Sequence, residues 1–290
     1  MGHNHAHHHV DENHSNIQLL LAIVINVLLT VIQVIGGLLS GSLSLIADAL
    51  HNLSDAAAIF IALLARKIAH KPADSSHHFG YQRAEILATA FNSCTLIIIG
   101  GYLVIEAIMS YLNPQVIDGW IIVWVASFAL LIDVITAVLT YRAGAHNSIN
   151  IRAAFIHNVS DAMASIVVMI AGTLIILYQW YVVDLIATLL IAGYVIYHGV
   201  LLLKQSCRIL MQAAPHQFDT HAVALAIKQH FNISEVTSIK LWQLDDKTTH
   251  CELIIDSETA PPLSAIKHYL HDNFQIEYCI IESHIKASHH

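Results

Sequence analysis

Two hexapeptides, LHNLSD at 50–55 and IHNVSD at 156–161, each place a histidine four residues before an aspartate. That spacing puts His51 and Asp55 on one face of a helix, a turn apart, and does the same for His157 and Asp161. Two neutral imidazoles and two carboxylates make a four-ligand set whose negative charge a divalent cation neutralises. Nitrogen and oxygen donors in a tetrahedron suit zinc, with cobalt or cadmium as softer alternatives. With all four positions filled by protein, no coordination site remains for an activated water, so the chemistry is carriage of an ion rather than hydrolysis. The competing reading is a polar helix-packing pair without metal. A single copy leaves the two readings level, and two copies in apolar surroundings favour the ion.

The surroundings are oil. Of 290 residues, 56% are hydrophobic and only 12% charged, which is not the composition of a soluble domain. Crossing the hydrocarbon core takes about 20 apolar residues, and six stretches qualify: 17–39, 43–65, 84–112, 119–141, 151–177 and 183–203. Both hexapeptides then fall near mid-bilayer, where an ionised carboxylate costs about 2.5–3.5 kcal/mol even on the lenient insertion scale and calls for a counter-charge.

Cations set the direction. Arg66, Lys67, Lys71 and Arg83 lie in the second break, Arg142 and Arg152 in the fourth, and Lys204 and Arg208 after the last span. All eight share one side of an alternating chain, and the other breaks have none. The positive-inside rule therefore predicts a multi-pass protein of the cell (inner or plasma) membrane with both termini in the cytosol. Trp120, Trp180 and Tyr181 sit beside the opposite breaks, where amphipathic aromatics belong.

From residue 209 the pattern changes. HQFDTHAVALAIKQHF reads as a helix with Ala222, Leu225 and Ala226 on its apolar stripe, EVTSIKLWQL and HCELIIDS as strands around DDKT, PLSAIKHYLHDNF as a second helix and IEYCIIESHI as a third strand. The fold class is thus an α-helical membrane protein: a His-rich cytosolic tail at 1–16, six transmembrane helices at 17–208, and a small α+β (αββαβ) cytosolic domain at 209–290. So small a domain is marginal alone and suits pairing with a second copy. The first sixteen residues, MGHNHAHHHVDENHSN, lack the basic start of a signal peptide, and their Asn and Ala interruptions mark a native tail rather than a tag. The His-rich ends are either loose metal collectors or tails without a role. Cys94, Cys207, Cys251 and Cys279 form no CxxC. The net charge of −8 gives no reason to expect nucleic acid.

ADALHNLSDAAA in the second span, FGYQRAEILATA opening the third and HNVSDAMAS in the fifth resemble the signatures of the cation diffusion facilitators. The resemblance covers nearly the whole chain. It implies a homodimer in the lipid bilayer that exports zinc or a similar ion from the cytosol in exchange for protons. His51, Asp55, His157 and Asp161 fall on the family's binding positions, and a histidine at the first of them goes with zinc preference over cadmium. No resident cofactor is expected; the ion is the cargo. Antiport also follows from charge: carboxylates at one depth hold protons when no metal is bound, and metal binding must displace them.

The resemblance also implies an accessory cytosolic site of Asp74, His77 and a second histidine, but Tyr81 stands at the third position and His78 is its neighbour. In the tail, Thr237 stands where a first histidine is sought, and Cys251, Glu282 and His284 occupy the neighbourhood of the other ligands. Arg83 has no carboxylate after the last span to pair with. Asp48 is a guide for ions or a solvated helix-end residue. Asp133 is a proton relay or a hydrogen-bond partner to another helix. Glu106, in the third span, is a further intramembrane carboxylate, and His198 reads as a packing histidine. A membrane metalloenzyme would need a general base such as that of HExxH, which is absent, so the chain is not expected to be an enzyme. A membrane-bound sensor that binds metal without flux is the remaining alternative.

Overall fold

The computed structural model describes residues 12–113, 115–142, 149–216, 218–245, 248–257 and 260–285, with the side chains of 12–23 and 149–154 left aside. Six long helices come first: α1 Glu12–Ser40, α2 Leu43–Ala69, α3 Ala84–Leu112, α4 Gly119–Arg142, α5 Ile149–Tyr178 and α6 Val182–Leu210. α2 to α6 are each long and apolar enough to cross a bilayer, and Val24–Ser40 of α1 is a further apolar run. Leu38, Ile98 and Trp124 expose about seven-tenths of their surface, a wasteful arrangement in water and the rule in lipid. The helices overrun the predicted spans, α1 by starting at Glu12 and α6 by reaching Leu210. Hydropathy reads only the part within the hydrocarbon, whereas backbone hydrogen bonding carries a helix on into the polar layer.

Residues up to 61 and 92–200 form one compact unit; 62–91 and the chain from 201 on form the other. In the first, α1 turns into α2 within two residues, and Gly41 makes the turn at φ 72°, a left-handed value glycine adopts without strain. The first amides of α2 then need an acceptor. Asp184 of α6 supplies it: its carboxylate accepts from Leu43 N at 2.8 Å and from the hydroxyls of Ser42 and Ser44. α4 and α5 pack most closely. A Cβ at Gly119 would stand 2.7 Å from the Gly172 carbonyl oxygen, so only hydrogen fits.

The second unit contains α7 Thr220–Phe231, β1 Glu235–Gln243, β2 Thr249–Ser257, α8 Leu263–Phe274 and β3 Tyr278–Ile285, in the expected αββαβ order. The sheet runs β1-β2-β3, with β1 and β2 antiparallel and β2 and β3 parallel. The parallel pair requires a crossover, and α8 is that crossover. Val223, Ile227, Leu253, Ile255, Ile266 and Leu270 form the core between helices and sheet. The buried stripe of α7 is therefore Val223 and Ile227, whereas Ala222 and Leu225 are exposed. Two apolar rows run side by side on this helix, and contact with the sheet selects the branched one, a choice the helix alone does not encode.

Candidate metal centre

α2 and α5 bring the four hexapeptide residues together. His51 Nε2 lies 3.6 Å from Asp55 Oδ2 and 3.4 Å from Asp161 Oδ1, while His157 Nε2 lies 3.4 Å from Asp55 Oδ2 and 3.5 Å from Asp161 Oδ2. Ligand atoms of His51, Asp55 and Asp161 fall within 4.8 Å of one another. These three side chains are largely buried, and His157 is 46% exposed. Asp55 Oδ2, Asp161 Oδ1 and His51 Nδ1 are buried and accept or donate no hydrogen bond. Buried polar atoms are paired in nearly every native structure, so two carboxylate oxygens left unsatisfied beside the Nε2 atoms of His51 and His157 make a donor set that suits a cation. Fixed spacing within each helix and convergence between helices produce the quartet; neither hexapeptide does so alone.

A second polar group lies beside it. Asn52 Nδ2 donates to Gln33 Oε1 at 2.9 Å, and Gln33 Nε2 donates to Asp48 at 2.6 Å. Asp48 is therefore not a solvated helix-end residue but a buried carboxylate held by α1. Asp133 accepts from Ser165 Oγ of α5 at 2.8 Å, one turn beyond Asp161, which makes it the hydrogen-bond partner of a neighbouring helix. Glu106 and Asp184 line a cavity of about 310 Å³ with Tyr181 and Gly37. His198 is exposed rather than packed; its ring lies 4.5 Å from that of Tyr194, which in turn is 6.1 Å from His51. Hydropathy along α6 reads the same whether this one histidine is buried or exposed, which is why the sequence misplaces it.

In the loop between α2 and α3, Asp74 accepts from the Ser76 and His77 amides and from the Tyr81 hydroxyl, each at 2.7 Å. The Tyr81 hydroxyl first, and then the two amides, hold the Asp74 carboxyl down to about 2. Tyr81 also stacks on His77 at 4.3 Å. The residue standing where a third ligand was sought thus occupies the carboxylate itself. In the sheet, β2–β3 register separates the three tail candidates: Cys251 faces the helices, while Glu282 and His284 point to the other face and pair with each other at 3.4 Å. Thr237 falls where β1 shifts register against β2. Arg83 makes no ion pair among the described residues, and its Nε is buried without a partner.

Sequence reasoning missed Asp184 and His250. His250 is buried between the stacked rings of Trp242 and Tyr278, with Phe79 edge-on at 6.1 Å, and its Nε2 has no hydrogen-bond partner. Its alternation with Cys251 along β2 was the one available signal.

Residues 19–211 match the family model described as the cation efflux transmembrane domain. The chain is 35% identical over 288 residues to the zinc transporter ZitB of Pectobacterium atrosepticum, covering 97% of this chain and 88% of that protein. It is 31% identical over 295 residues to zinc transporter ZitB of Escherichia coli, covering 100% of this chain and 94% of the relative. It is 30% identical over 298 residues to the cadmium, cobalt and zinc/H(+)-K(+) antiporter of Bacillus subtilis, again covering 100% and 94%. Six apolar helices, an αββαβ tail, a family match over most of the chain and relatives aligned from end to end make this protein a member of the cation efflux family, the cation diffusion facilitators.

Proposed function

We propose that the protein carries a divalent cation, zinc foremost, out of the cytosol in exchange for protons, with His51, Asp55, His157 and Asp161 as the carrier site. The observation that carries this reading is the convergence of two imidazoles and two carboxylates from two helices, with buried oxygens that nothing in the chain satisfies. The relatives support the cargo: two are named zinc transporters and a third an antiporter of cadmium, cobalt and zinc with H(+) and K(+).

Bound metal draws the four donors onto one ion, and its two positive charges balance the two carboxylates. Release leaves those carboxylates facing each other, and protons then replace the lost charge. A site that opens in turn to each side of the membrane therefore moves metal one way and protons the other. The cation distribution along the breaks supports cytosolic termini in the cell membrane, and the αββαβ region from residue 209 is the cytosolic domain through which two copies pair.

Zinc movement across proteoliposome membranes under an imposed pH gradient tests the proposal. Zinc flux that follows the gradient and reverses with it is the expected result. Saturable binding without flux would make the protein a sensor instead.

A further inference from the structure

β2 and β3 place Cys251 and Cys279 side by side as direct partners in the parallel register. Both are free thiols; Cys251 is buried in the core, whereas Cys279 lies on the edge strand and is partly accessible. Interaction with Cys251 and the Lys267 ammonium of α8 lower the Cys279 thiol below its ordinary value, while interaction with Cys279 and burial raise that of Cys251. Nothing in the transport reading uses this pair.

We infer that Cys251 and Cys279 form a two-coordinate site for a soft monovalent cation of the copper(I) class in the C-terminal domain. Thiolates select such ions, which accept two ligands in a line, whereas zinc demands four. Geometry agrees. Cys251 and Cys279 are register partners on neighbouring strands, which stand about 4.8 Å apart, so their two sulfurs lie within reach of one ion. Among the described residues no third and fourth donor joins the pair to complete a zinc set, and Glu282 and His284 point from the opposite face of the sheet. Charge agrees as well: two thiolates and one monovalent cation leave a single negative charge, and the Lys267 ammonium lies close enough to act on Cys279. Binding releases both thiol protons to solvent, with no change of oxidation state.

The test uses the full chain in detergent, reduced and anaerobic, with the exposed Cys94 and Cys207 replaced by serine. Copper(I) is presented against bicinchoninate, a chelator that competes for it. The expected result is one retained equivalent with two sulfur neighbours in copper X-ray absorption, lost on Cys279→Ser. Equal retention by parent and Cys279→Ser protein would overturn the assignment. A second measurement leaves Cys251 and Cys279 in place: copper(I) should shield Cys279 from iodoacetamide, read by mass spectrometry, while zinc at the same concentration should not. Shielding by zinc alone, or by neither ion, would also overturn it.

Discussion

Asp161 on α5 approaches His51 of α2 more closely, at 3.4 Å, than Asp55 does from His51's own helix, at 3.6 Å. Asp55 in turn lies 3.4 Å from His157 on the other helix. Each carboxylate is shared by both imidazoles, so the two hexapeptides form one interleaved quartet rather than two separate pairs, and damage to either should empty the whole.

Asp161→Ala tests that sharing. Removing one member of a buried charge pair costs about 3–5 kcal/mol, which is roughly two to four orders of magnitude in affinity. Zinc binding by calorimetry should weaken by that much and flux should vanish, with Asp161→Asn nearly as severe. Wild-type flux in either variant would exclude the quartet as the carrier site.

His51→Asp changes the donor set from two nitrogens and two oxygens to one and three, and adds a negative charge. An oxygen-richer site is less selective for zinc. The variant should remain active and gain cadmium transport relative to zinc, measured by competition flux beside wild type. An unchanged ratio in an active protein would mean that His51 does not touch the ion.

Asp184→Ala removes the acceptor for two hydroxyls and the Leu43 amide at a fully buried position. Each stranded group costs about 1–3 kcal/mol, so a loss of about 3 kcal/mol or more is expected, visible as a lower unfolding temperature by tryptophan fluorescence. A transition equal to wild type would show that water replaces the carboxylate.

Burial lowers the affinity of His250 for protons; Asp245 and Glu277 oppose that effect and Arg83 adds to it. Its folded value therefore lies below the unfolded one, and the unfolded state binds more protons in the window between them. Stability contributed by neutral His250 is present above the ordinary histidine range and lost as pH falls through that range toward the lowered value. Thermal unfolding at pH 5.5 and 7.5 should show a larger acid loss in wild type than in His250→Phe. Equal losses would remove His250 as the cause.

Orientation is open to labelling. Val116→Cys and Gln179→Cys stand at exposed positions in two breaks without cations. In a background free of other cysteines, an impermeant maleimide added outside intact cells should modify both. Modification only after the cytosolic side is opened would invert the topology.

Much of the fold is legible because it is local. Apolar run length locates α1 to α6, and alternating patterns yield the αββαβ order. The hexapeptides announce themselves by a four-residue spacing that any helix converts into one face. What escapes is pairing over distance. Asp184 is one acidic residue at a helix start, and its donors at 42–44 lie 140 residues away. The partner of Cys251 depends on where β3 lands after the α8 crossover, so Cys279 could not be chosen over Glu282 or His284 from sequence. The Val223–Ile227 face of α7 is likewise decided by the sheet beneath it.

The Asp184 clamp has a mechanical consequence. It fastens α2 at its first turn, so a tilt of the helix would pivot about that point like a lever on a fulcrum. From Ser44 to His51 the arm is about 10 Å at 1.5 Å per residue, so a tilt of about 10° carries His51 about 2 Å. A tetrahedral zinc bond is itself only about 2 Å long. Spin-label distances should therefore stay fixed near Ser44 and change near Asp55 when zinc is added. Through Gln33, which holds both Asp48 and Asn52, α1 is yoked to the same arm. In the proposed carrier, an ion would then be gripped and let go by a small rotation about one anchored end.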